Sequence, residues 1–518
     1  MSADANWPLA FKRFGHGPRP TDRGRSGDPR EALIAEISRP DAALLDAPGL
    51  LSTSDNQKLV FADQAEKKRL RDLGAVQLSR SALPSYLPIA IPVEPGVAPV
   101  LAGGAASAAP VMAGNMMATP NAMAGGNMMS GANAMAAPGA MAPPKAPEAP
   151  EGHAYRSEAL ARLLKATGAD MGFAERWVAF WSNHFCVSIS KSNLVHVAAG
   201  SFEREAIRAH AFGRFADMLR AVEQHPAMLH FLDNQQSIGP DSQAGKRRKV
   251  GLNENLAREI LELHTMGVGS GYTQTDVTSL ARVITGWTTA GPDGKMGVPG
   301  TFVFNVNAHQ PGAQTVLGKS YAQAGEAQGE AALDDIAGHP ATARHIANKL
   351  TKAFLSDDPQ PQLAAKLAAV FQTTGGDLLA LAKALIEAPE AWSAPATKLR
   401  NPWEWTVASY RAFAKEPTDP GQALNALRLL GQPLWQPAGP NGFSDDTAAW
   451  LSPEGIKTRV EVAALFSRQI KDAPKPTDLV GPILGAAASS DTLESIARAE
   501  TPEQAYALLI LSPEFMRR

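Results

Sequence analysis

Residues 253–267 read Asn253-Glu254-Asn255-Leu256-Ala257-Arg258-Glu259-Ile260-Leu261-Glu262-Leu263-His264-Thr265-Met266-Gly267. Leu256, Ile260 and Leu263 recur at the spacing of one helix face, while Asn255, Arg258, Glu259 and Glu262 gather on the other. The same period runs through residues 32–37, 177–181 and 364–371. Strand-like alternation is confined to residues 301–306 and 314–317, close enough in the chain to pair as one hairpin. Proline in His225-Pro226, His339-Pro340 and Ser512-Pro513 stands where a first helical residue tolerates the loss of its N–H. These patterns predict a mainly α fold, a multi-helical globular body with at most one small β-hairpin.

The chain has 518 residues, with 49 Lys and Arg against 51 Asp and Glu. A net charge of -2 argues against a general electrostatic grip on nucleic acid or an anionic membrane. One cysteine, Cys186, excludes an intramolecular disulfide framework, a Cys-rich zinc ribbon and a four-cysteine iron–sulfur site. No signal peptide is readable at the N-terminus, so the expected location is the cytoplasm, with export only on another protein's signal. The longest uncharged stretch, residues 95–144, is built of Ala, Gly, Asn, Met and seven prolines and is no membrane span. Its composition predicts a disordered Met/Ala/Gly/Pro-rich insert at 88–152, dividing an N-terminal helical part at 1–87 from a main helical body at 153–518. Eight of the fifteen methionines fall in it, a clustering that biased composition explains more simply than Cu(I) binding.

The polar face of the quoted segment has two readings. Glu254, Arg258 and Glu262 stand four apart, which suits an exposed ion-pair ladder of about 0.3–0.5 kcal/mol per pair. If the face is buried, two acids beside one arginine cannot both ionise cheaply, and one binds a cation or has a raised pKa. Thr273 and Asp276 match a capping box, which assigns Asp276 to structure. Asn183-His184 closes an aromatic helix, and Cys186 is too near His184 in sequence for the two to meet on a helix, so its expected role is a small buried hydrophobe. His309, in Asn307-Ala308-His309-Gln310, sits in a loop setting open to ligand. Lys246-Arg247-Arg248-Lys249 reads as a solvated loop able to grip an acidic partner. No H-E-x-x-H, nucleophile elbow or EF-hand loop is present.

Several motifs occur together in one order: Phe14-Gly15-His16-Gly17-Pro18-Arg19, Phe180-Trp181-Ser182-Asn183-His184-Phe185, the run from Asn253 through Gly267, Gly271-Tyr272-Thr273-Gln274, Ala281-Arg282 with Thr285-Gly286-Trp287, His339-Pro340-Ala341-Thr342-Ala343 and Ser512-Pro513-Glu514-Phe515. In this the chain resembles the bacterial family catalogued as domain of unknown function 1800, over nearly its whole length except the insert. The resemblance implies a fold and no reaction. It further implies a partner, because members are often encoded beside a sulfatase-like, Tat-exported family catalogued as domain of unknown function 1501. The pair would act outside the cytoplasm on polysaccharide or envelope material. One departure stands out: the family usually reads His-Asp where this chain has His309-Gln310.

The expected site is a polar cleft. His184, Arg258, Glu259 and Glu262 are its catalytic candidates, and Asn183, Asn255, Arg282 and His309 its substrate-binding candidates. A divalent metal would sit on His184, Glu259, Glu262 and His264. The function expected is metal-assisted chemistry on a carbohydrate or envelope polymer. The alternative is a non-catalytic export or assembly partner of the sulfatase-like protein, using the basic loop or the insert.

Overall fold

The computed structural model describes residues 7–72, 148–248, 251–471 and 473–518. The predicted insert falls almost wholly outside them. The helix Pro150–Gly168 opens inside the range assigned to it, with proline in its first turn. By contacts the chain forms two units, Met1–Arg69 with Glu148–Arg518, and Leu70–Pro147. Of the second, only the end of the helix Thr53–Asp72 is described.

Among the described residues there are twenty-three α-helices and four three-residue strands. The proline-led helices begin where the sequence places them. The rings of His225 and His339 accept the N–H of Ala227 and Ala341 at 3.1 Å each, and the Ser512 hydroxyl accepts that of Phe515 at 3.3 Å. The Thr273/Asp276 capping box is formed, and Asp276 also accepts the Leu317 N–H at 2.7 Å.

Strand pairing differs from the single hairpin expected. β1 (Trp287–Thr289) pairs antiparallel with β2 (Phe302–Phe304), and β3 (Gln314–Val316) with β4 (Lys319–Tyr321). Leu317 and Gly318 both have positive φ, 51° and 76°, as a tight two-residue turn of matching twist requires. That turn folds β3 back on β4, so β2 takes Trp287, whose side chain is fully buried, as its partner instead.

The core is aromatic around the helix Phe173–His184. Trp177 and Trp181 meet edge to face at 5.8 Å, and Phe180 and Phe185 pack beside Trp181 at 5.0 and 6.0 Å. The Trp177 indole donates to the Ala211 carbonyl at 2.7 Å, which satisfies the one polar atom of that ring.

The decisive segment is not helical in one register. Asn255–Glu259 is α-helical and Ile260–His264 a π-turn, held by the Thr265 hydroxyl on the Ile260 carbonyl and by Gly267 N–H to Leu261 carbonyl at 3.1 Å. A wider turn rotates the residues after it. The buried stripe therefore runs Leu256, Ile260, Leu261 and His264, while Leu263, expected inside, is only half-buried. The run at Lys246 is also not a loop: Ser242 accepts the Gly245 N–H at 3.0 Å and starts a short helix, Gln243–Arg248, with Lys249 outside the described residues.

Candidate functional site

The π-turn carries His264 into the interior. His184 and His264 are 2% and 0% exposed, and the His184 Nε2–H donates to the His264 carbonyl at 3.0 Å. Burial, with Lys349 adding to it, holds the His184 ring well below the ordinary histidine range, so it is neutral. The His264 Nδ1–H donates at 2.8 Å to Glu223, itself 0% exposed. Sequence reasoning missed Glu223. Its signal was a glutamate four residues after Leu219, on the apolar face that Phe215, Met218, Leu219 and Val222 define.

The polar face of the segment lies outward. Arg258 reaches Glu254 at 3.3 Å, Glu262 at 3.4 Å and the Gln274 amide oxygen at 2.9 Å, and all three charged side chains are a quarter or more exposed. This is the ladder reading, worth about 0.3–0.5 kcal/mol per pair. Glu259 is half-buried, and burial raises its carboxyl, with His264 opposing and Glu262 reinforcing. Asn255 is exposed and its N–H donates to the Asn253 side chain. His309 donates to the Thr285 carbonyl at 2.9 Å and meets Phe304 edge-on at 5.1 Å. Arg282 is half-buried, and its Nε has no hydrogen-bond partner among the described residues. Gln310, where the resemblance leads one to expect an Asp, accepts from the Asp241 N–H at 3.1 Å and donates to its carboxylate at 2.8 Å. An acid at 310 would repel that carboxylate.

The structure thus sets His264 between His184, with ring centroids 6.4 Å apart, and Glu223, and leaves Asn255, Arg258 and Glu262 at the surface. Among the described residues no group of three or more His, Cys, Asp or Glu side chains stands together to hold a metal ion.

Asn183 faces elsewhere, into a cavity of ≈ 90 Å³ that Ser182, Cys186, Phe180, Trp403, Glu404, Trp435 and Asp445 also line. Its amide makes two bonds with the backbone of Phe443, donating to the carbonyl at 2.9 Å and accepting the N–H at 2.8 Å. These bonds hold the 439–446 loop against the end of the Phe173–His184 helix. Gly442 has φ 73°, and a Cβ there would stand 2.4 Å from the Asn183 carbonyl oxygen, so only glycine fits.

Two acids whose carboxyls are shifted in opposite directions line this cavity. Arg518 at 2.8 Å and Arg176 at 3.4 Å overcome burial and hold Glu404 down at about 2. Burial raises the Asp445 carboxyl, against the pull of Lys349 and Lys398. The Cys186 thiol, donating to the Pro440 carbonyl at 3.3 Å, is pushed up to about 12 by burial and carries no thiolate near neutrality. It packs as a small buried hydrophobe. Arg162 lies 4.2 Å over the Trp403 ring and pairs with Glu203 at 3.0 Å, which leaves aromatic faces and held charges side by side on the cavity wall.

These features define a mainly helical protein with a polar, aromatic-walled cavity between its central helix and a C-terminal loop. The chain belongs to the family described as Protein of unknown function (DUF1800), which it matches over residues 9–517. No curated protein and no solved structure matches it.

Proposed function

We propose that the protein is a hydrolase acting on a carbohydrate or envelope polymer, with its active centre in the Asn183–Asp445 cavity. The supporting observation is that Asp445 and Glu404 line one cavity while their surroundings displace their protonation in opposite directions. Pairs set apart in this way divide the roles of acid and base or stabiliser. Asp445, whose carboxyl burial raises, gives its proton to the oxygen of the leaving group as the C–O bond breaks. Glu404, ionised near neutrality, stabilises the positive charge developing at the carbon, and a water adds there and returns a proton to Asp445, in the manner of the two-carboxylate glycosidases. Trp403, Trp435 and Phe180 offer apolar faces to a sugar ring. A cavity this small takes a terminal residue or a ring edge, not an extended stretch. The reading assigns acid–base chemistry to this cavity in place of the metal-assisted chemistry expected at His184, Glu259, Glu262 and His264.

The test is release of reducing ends from bacterial envelope polysaccharides. Asp445→Asn and Glu404→Gln are expected to lower the rate about 10²–10⁴-fold with the circular dichroism spectrum kept. Rates equal to the wild type would overturn the reading.

A second reading is a non-catalytic partner exported with the sulfatase-like protein and working outside the cytoplasm. It takes over if the wild type cleaves none of the polymers.

A further inference from the structure

The motif Phe14-Gly15-His16-Gly17-Pro18-Arg19 has no part in the chemistry above, yet it places a histidine in the driest part of the molecule. His16 is fully buried, and neither ring nitrogen has a hydrogen-bond partner among the described residues. The charged groups facing it are Glu404, Arg176, Arg411 and Arg400. Burial and the three arginines keep the ring neutral, so one nitrogen bears an N–H and donates.

The charges around this ring do not balance. Glu404 is taken by Arg518 and Arg176. Arg411 spends its donors on carbonyls, among them Gly17 at 2.7 Å and Asp170 at 3.1 Å, with Asp22 at 3.9 Å as its nearest carboxylate. Arg400 is 1% exposed; Glu404 favours its charge while Arg518 and Arg411 oppose it, and its guanidinium lies 4.9 Å over the Phe515 ring. It donates from Nη1 to the Phe515 carbonyl, while Nη2 has no partner. Nη2 lies 3.0 Å from the place a Cβ would occupy on Gly17, whose φ is 96°, so it points at the loop carrying His16. A guanidinium buried with so little opposite charge is costly unless an anion meets it.

We propose that Arg400 and His16 hold a small monovalent anion of the halide class in the interior, accepting from Arg400 Nη2 and from the imidazole N–H. Arg411 and Arg176 add favourable charge near the ring, against the one carboxylate, Glu404. Glycine at 17 leaves room for the guanidinium. The anion ties the N-terminal motif to the helix Pro402–Ala412, which carries Glu404, and the proposal is independent of any reaction in the cavity.

The experiment uses the full chain, crystallised in bromide and, separately, melted in chloride or gluconate at equal ionic strength. An anomalous bromide peak within hydrogen-bonding reach of Arg400 Nη2 and the His16 ring is expected. So is a midpoint about 1–3 °C higher in chloride than in gluconate. Arg400→Gln and, as a milder change, His16→Asn should abolish the halide dependence. No bromide peak at this place, or a midpoint indifferent to halide in the wild type, overturns the proposal. A halide dependence that persists in both variants overturns it as well.

Discussion

Glu404 shows how one residue couples stability to pH. Its carboxyl falls from 4.5 to about 2 on folding because Arg518 and Arg176 meet it in the interior. A depressed acid contributes stability that is complete above its unfolded pKa and is lost as pH falls through its folded one. The wild type should therefore lose stability between about pH 4.5 and pH 2, on the order of 3 kcal/mol from this group. Glu404→Gln should begin less stable at pH 7, because it strands two buried arginines, and lose less across the same interval. Urea unfolding at a series of pH values checks this. Asp445 has the opposite sign: its raised carboxyl favours the folded state at low pH, and that contribution is lost as pH rises through its folded pKa. Neither acid was legible as functional in the sequence. Asn401-Pro402 with Glu404 reads as a capping box, and it is one, so its second role at the cavity is hidden by its first. Asp445 stands in a loop without period, and its placement depends on Asn183, 260 residues from the Phe443 that it binds.

Elements decide which residues reach the interior. The helix Phe173–His184 was readable from its aromatics, and so were the proline-led helices, because the signals lie within one or two turns. The π-turn at Ile260–His264 was not, since the same residues fit an ordinary α-helix; its cause is the Thr265 and Gly267 bonding that follows. That change of pitch, which begins after Glu259, sent His264 inward to Glu223 and left Glu262 beside Arg258 at the surface. Hairpin pairing failed for a related reason: Leu317 in a left-handed turn carries no strong sequence signal. The 439–446 loop is the element on which the cavity most depends. Gly442→Ala adds a positive-φ penalty to a collision with the Asn183 carbonyl, and Asn183 and Phe443 would separate. Melting should fall by about 1–3 kcal/mol equivalent, with polymer cleavage lost out of proportion to stability. Equal activity per folded molecule would show that the loop does not position the acid.

At the scale of the whole molecule, an aromatic centre is ringed by helices and pinned by buried arginines on carbonyl groups. Arg13 holds the Ala391 carbonyl at 2.8 Å, Arg459 that of Arg400 at 3.2 Å, and Arg518 those of Phe354 and Ala353 at 3.2 and 2.8 Å. These bonds join segments from both ends of the chain. Among the described residues no helix is long and apolar enough to cross a membrane. Within this frame one cavity raises the carboxyl of Asp445 and lowers that of Glu404, and on that difference the proposed reaction rests. Carboxyl infrared difference spectra of the wild type, Asp445→Asn and Glu404→Gln, taken from pH 2 to pH 8, measure it directly. The expected result is a carboxyl titrating above the usual aspartate range that vanishes only in Asp445→Asn, and a carboxylate still ionised near pH 3 that vanishes only in Glu404→Gln. Two carboxyls titrating together in the ordinary range would contradict the account.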